Sequence, residues 1–179
     1  MPKSHVKTHL NFKLIWALCG FLITGALAAV SAVQFYQANR SARLAVTIKA
    51  KDRYATKPVV VTVMVSNQTM EPLLVNGRML INQYPLPGEL ALQIQGPGHA
   101  EYKLLKAVVP PDIRESDLVK LPPGQTIEQL ADLTDLYGVQ KHGKYRIQAI
   151  YYNGADIEKD GLPTWRGTIA SEPIEIHVD

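Results

Sequence analysis

Carboxylates at alternate positions can wrap one hard cation, and Asp156, Glu158 and Asp160, followed by Gly161, have that spacing. They echo the first half of a calcium loop. The pattern then breaks, because the twelfth position from Asp156 is Gly167 rather than a bidentate Glu. The competing reading is a solvated hairpin loop between two strands. Weak calcium binding through these three residues is the only metal expectation. Asp112, Glu115 and Asp117, or Asp132 with Asp135, would serve acid–base chemistry only in a cleft that shifts their pKa values. Otherwise such residues solvate loops and cap turns.

The other ingredients of catalysis do not assemble. The body has three histidines, His99, His142 and His177, with no two adjacent in sequence. His99 with Glu101 is half a metal site at most. There is no H-E-x-x-H pair to grip zinc, no G-x-S-x-G nucleophile turn and no G-x-x-x-x-G-K-[ST] phosphate cradle. The single cysteine, Cys19, lies inside an apolar run. The sequence therefore reads as a non-enzyme with no catalytic residues, no cofactor and no identified small-molecule substrate. Aromatic residues offer a different use, a platform for sugar or peptide. Tyr84, Tyr102, Tyr137, Tyr151, Tyr152 and Trp165 are available. Tyr145 and Tyr151 share strand parity with the apolar Ile147, so Tyr152 is the better surface candidate, and Trp165 is the second ligand candidate.

Charge sets the broad class. The 179 residues carry 19 Lys and Arg against 16 Asp and Glu, net +3. Residues 1–43 hold Lys3, Lys7, Lys13, Arg40 and Arg43 and no acid. The remaining fourteen bases face all sixteen acids, so the body is net −2. It lacks the basic stripe on which counterion release depends, which excludes nucleic acid as a partner.

Leu14 to Val33 is a run of 20 residues without an acid or a base. As a helix it would span about 30 Å, the thickness of the bilayer hydrocarbon. Two readings stand. An uncleaved signal anchor over 14–36 explains the length and the interfacial Phe35 and Tyr36. A cleaved signal peptide explains the three lysines and the exits Ala26-Leu27-Ala28 or Val30-Ser31-Ala32. The expected organisation is a basic cytoplasmic tail at 1–13, the span at 14–36, a linker at 37–43 and one domain at 44–179. Basic residues flank both ends of the run, and Arg40, Arg43, Lys49, Lys51 and Arg53 could rest on anionic headgroups. Long C-terminal domains translocate largely regardless of charge, which places the body on the periplasmic or extracellular side of the membrane.

Beyond residue 43 lie eleven of the 12 prolines and ten of the 12 glycines, spaced as punctuation between short runs of period two. Leu44, Val46 and Ile48 alternate with Ala45, Thr47 and Lys49. Val59, Val61, Val63 and Val65 alternate with residues that are themselves largely apolar, which predicts a central strand. Leu73–Val75 and Met79–Ile81 flank Asn76-Gly77, a predicted tight turn. Further strands are expected at 90–94, 102–105, 118–121, 127–133, 145–151, 165–169 and 174–178, with a helical turn at 134–137. No thiol is left in the body for a disulfide, and about 135 residues can bury a core without one. The fold class read from this is all-β.

His142-Gly143-Lys144-Tyr145-Arg146-Ile147 resembles the start of strand F in immunoglobulin-like sandwiches. There a tyrosine corner ties the strand to the loop before it. The stretch from Leu121-Pro122-Pro123-Gly124 through Asp132 and Tyr137 to Ile147 is similar to the accessory β-sandwich that precedes the catalytic domain of deuterolysin-like metallopeptidases. The resemblance covers about residues 118–178 and implies a bacterial immunoglobulin-like module without the peptidase half. The expected function is a membrane-anchored envelope protein that presents this sandwich to a protein partner through its loops or an open sheet edge. The alternatives are a protease-inhibitor or protease-accessory module and a carbohydrate-binding or calcium-binding domain.

Overall fold

The computed structural model describes residues 43–83 and 89–179. The basic tail, the apolar run and all but the last linker residue lie outside the described residues, as does Tyr84. Among the described residues no helix is long and apolar enough to cross a membrane.

The elements in chain order are β1 (Leu44–Lys49), β2 (Arg53–Tyr54), β3 (Val60–Asn67), β4 (Leu73–Asn76), β5 (Leu90–Gln95), β6 (Glu101–Tyr102) and β7 (Leu118–Leu121). They continue with β8 (Thr126–Asp132), α1 (Leu133–Tyr137), β9 (Gly143–Asn153), β10 (Glu158–Lys159), β11 (Leu162–Pro163), β12 (Gly167–Ala170) and β13 (Ile174–Val178). Among the described residues the fold is all-β apart from α1 and two 3-10 turns. Helix α1 is held to five residues between two chemical stops. The Asp132 carboxylate accepts the N–H groups of Thr134 and Asp135 at its start, and Gly138 closes it in the left-handed conformation.

The long strands form two antiparallel sheets. One has the order β1-β3-β8, with β3 central as its doubly apolar sequence predicts. The other has the order β2-β13-β9-β5-β6, with β12 added to β9 beyond β13. Strand β2 is its one parallel member, set against β13 through Arg53 with His177 and Tyr54 with Val178. Val61, Val63 and Val65 of β3 meet Leu92 and Ile94 of β5, Tyr145 and Ile147 of β9 and Ile176 of β13 in one buried core. Each such side chain, fully removed from water, contributes about 1.5–3 kcal/mol. Tyr145 sits at the end of this core, and its hydroxyl donates to the Lys141 carbonyl at 2.8 Å.

Three local expectations are corrected. Asn76-Gly77 does not turn β4 back on residues 79–81. Strand β4 pairs instead with β7, Leu73 against Leu121 through Asn76 against Leu118. The Asn76 side chain explains this, since its Oδ1 accepts the Arg78 N–H at 3.0 Å and commits the local turn to a side-chain closure. The strand expected at 102–105 ends after Tyr102, where Leu105 N–H turns to the Leu136 carbonyl at the end of α1. The strand expected from Trp165 begins at Gly167.

Candidate functional site

Three segments far apart in sequence converge on one cleft of about 440 Å³. Arg78 and Glu89 come from either end of the connection between β4 and β5. Pro110 to Ile113 come from the long connection before β7. Tyr152 and residues 154–157 come from the end of β9 and the segment after it.

The base of the cleft is an ion pair. Glu89 is buried, and Arg78 is nearly so, with side-chain exposures of 3% and 19%. A carboxylate this deep needs every oxygen satisfied. Arg78 Nε reaches Glu89 Oε1 at 3.2 Å, and the Leu80 N–H donates to Oε2 at 2.9 Å. The guanidinium also donates to the Pro111 carbonyl at 3.1 Å and lies 3.6 Å from Asp117. One buried charge thus ties the proline segment to the sheet. The Glu89 carbonyl accepts the Tyr152 N–H at 2.9 Å, which fixes where β9 leaves the cleft.

Tyr152 is the exposed aromatic of the site, at 45%. Its neighbour Tyr151 points the other way, into the core, where its hydroxyl donates to the Asn76 carbonyl at 2.9 Å. Burial pushes the Tyr151 phenol up. Tyr152 lies back over Gly154, so closely that a Cβ there would stand 2.2 Å from the hydroxyl. A side chain at 154 would push this exposed ring aside from its present position. Asn76 Nδ2 is buried nearby without a hydrogen-bond partner.

The structure distributes the other sequence-derived candidates. Trp165 does not join Tyr152. It stacks on Tyr151, centroids 5.8 Å apart and planes 25° apart, on the opposite side of β9. Asp156 lines the cleft and pairs with Arg166 at 2.9 Å on an exposed surface, a contact of little energetic weight. Glu158 is exposed on β10 and Asp160 forms the β10–β11 turn with φ 53°. Among the described residues no three His, Cys, Asp or Glu side chains gather to hold a metal ion. Asp132 and Asp117 both act as caps, the latter accepting the Arg114 N–H at 2.9 Å. His99 and His142 are exposed at turns, and His177 Nε2 lies 3.2 Å from Asp179.

Sequence reasoning missed Arg78 and Glu89. They stand eleven residues apart with no strand or helix between them among the described residues, and neither is flanked by a pattern that marks a charge for burial. No protein-family model matches this chain, and no curated protein matches it in sequence.

Proposed function

We propose that this protein is a membrane-anchored envelope protein whose body is a non-catalytic immunoglobulin-like sandwich that binds another protein at the cleft around Tyr152. The apolar run at 14–36 supports the anchor, and the translocation of long C-terminal domains largely regardless of charge supports an external body. Two sheets that share one core, a parallel β2 on the β13 edge and the Tyr145–Lys141 tie support the immunoglobulin-like assignment. The observation that carries the binding role is the cleft itself. Loops from three regions are held by a buried ion pair and present one amphipathic ring to solvent, an arrangement suited to recognition.

The test is capture from envelope extract by the full chain, set beside Tyr152→Ala. Truncating an exposed aromatic anchor weakens binding by about 10- to 100-fold while leaving stability nearly unchanged. The expected result is a partner retained by the parent chain and lost by the variant at equal thermal midpoint. An identical set of retained proteins, or turnover of any substrate, would overturn the reading.

A further inference from the structure

Strand β8 is the unpaired edge of its sheet, with β3 as its sole hydrogen-bonded neighbour among the described residues. The ladder fixes which of its backbone groups are free. Leu133 N–H donates to the Val59 carbonyl at 2.8 Å, and Asn67 N–H to the Gln125 carbonyl at 3.0 Å. Hydrogen-bonded pairs alternate in an antiparallel ladder, so Ile127, Gln129 and Ala131 bond to β3. The N–H and C=O groups of Glu128 and Leu130 therefore point away from the sheet. The Gln129 side chain donates to the Leu130 carbonyl at 2.9 Å, taking the place a neighbouring strand would fill. Leu130 itself is 65% exposed, beside an exposed Glu128 on the same face.

We infer that this edge accepts an extended segment of another protein as an added strand, one bearing a Lys or Arg opposite Glu128 and an aliphatic residue opposite Leu130. Main-chain hydrogen bonds would supply the affinity and these two side chains the selectivity. A second copy of this chain fits badly. In antiparallel self-pairing, Glu128 would face Thr126, Glu128, Leu130 or Asp132 of the other copy, depending on register. No choice sets a cation against it, and two of the four set a carboxylate against a carboxylate. A carboxylate on an edge strand discourages indiscriminate pairing and leaves a cation-bearing segment as the favoured guest. The site is separate from the Tyr152 cleft, so Tyr152→Ala leaves it intact and the two readings fail independently.

The test uses the full chain in mild detergent and two blocked nonapeptides. One carries a Lys and a Val two residues apart in a Thr background, and the other has Glu in place of that Lys. The Lys peptide is expected to slow amide exchange at Glu128 and Leu130, and to bind about ten-fold more tightly than the Glu peptide. Glu128→Lys, an exposed change, is expected to invert that preference. Unprotected amides at 128 and 130, or a preference that Glu128→Lys leaves in place, would overturn the inference. So would a dimer by sedimentation that Leu130→Lys dissolves, since the edge would then belong to a second copy.

Discussion

The Tyr145 hydroxyl donates to the carbonyl of Lys141, four residues upstream and 2.8 Å away. The same ring meets Tyr102 edge-on, centroids 5.4 Å apart, with the two hydroxyl oxygens at 3.3 Å. One fully buried side chain thus anchors the entry to β9 and the β5–β6 corner together. Tyr145→Phe removes both hydrogen bonds and keeps the packing, so it is expected to cost about 1–2 kcal/mol. Gly96→Ala attacks the same spot from outside, since its Cβ would stand 2.5 Å from the Tyr102 ring and 2.9 Å from the Tyr145 ring. That overpacking is expected to cost about 1–3 kcal/mol. Urea midpoints of the two single variants and the double variant measure both, and the double is expected to be non-additive because the sites touch.

Alkaline pH is expected to unfold the domain through its buried phenols. Tyr137 is pushed up to about 12 by burial, although its hydroxyl accepts the Leu92 N–H. Tyr145 and Tyr151 are pushed up as well, by burial first in each case. The unfolded chain releases these protons near pH ~10, so the folded state holds them longer. Their stabilisation is therefore complete below pH ~10 and is lost as pH climbs toward the folded values, with a limiting slope of about 4 kcal/mol per pH unit for three protons. Tyr137→Phe is expected to reduce that slope by roughly a third. Denaturant titrations across this range, followed by phenolate absorbance, check it. A flat stability profile would remove the role of these three groups.

The strand body was legible because burial on one face leaves a period of two in the residues themselves, as in Leu44 to Lys49 and Tyr145 to Tyr151. The tyrosine tie was legible because it is local, spanning four residues. The cleft was not. Glu89 becomes a buried anion only because Arg78, Leu80 and the Pro111 segment are folded onto it, and no local propensity encodes that meeting. The position of Trp165 was not legible either, for the same reason. Its placement follows from a stack on Tyr151 and a bond from its N–H to the Leu74 carbonyl, both long-range. The turn assigned to Asn76-Gly77 failed because the pair is also a good side-chain-closed bend, and the β4–β7 pairing chose between them.

Breaking the Arg78–Glu89 pair is expected to be costly, and replacing it whole much less so. Glu89→Ala removes the guanidinium's nearest carboxylate, leaving it the Pro111 carbonyl and the more distant Asp117, and strands the Leu80 N–H, for a loss of about 3–5 kcal/mol. The double change Arg78→Met with Glu89→Leu leaves no fully buried charge, only the part-exposed Asp117 without its 3.6 Å neighbour, and is expected to recover most of that loss. Arg78→Met alone also frees the Pro111 carbonyl, so amide exchange at Asp112 and Ile113 is expected to quicken. Equal losses in the single and double variants would show that the pair is not the unit holding the cleft.

Asn153 holds in place the 154–157 segment that forms one wall of the cleft. It is fully buried, its Nδ2 donates to the Trp165 carbonyl at 2.7 Å, and its Oδ1 accepts the Ala155 N–H at 3.1 Å. The segment from 154 to 164, which carries Asp156 and the β10–β11 hairpin, is therefore pinned at both ends by one side chain. Asn153→Ala leaves a carbonyl and an N–H without partners and is expected to cost about 2–4 kcal/mol. Asn153→Asp preserves the acceptor for Ala155 but sets an ionised oxygen against the Trp165 carbonyl. Only its protonated form can donate there, so this variant is expected to gain stability on acidification relative to the parent. Thermal midpoints of the parent and both variants, taken near pH ~4 and pH ~7, separate the two effects. A midpoint difference between parent and Asn153→Asp that ignores pH would mean the side chain rotates away from Trp165, and that the hairpin is held by its own β10–β11 pairing instead.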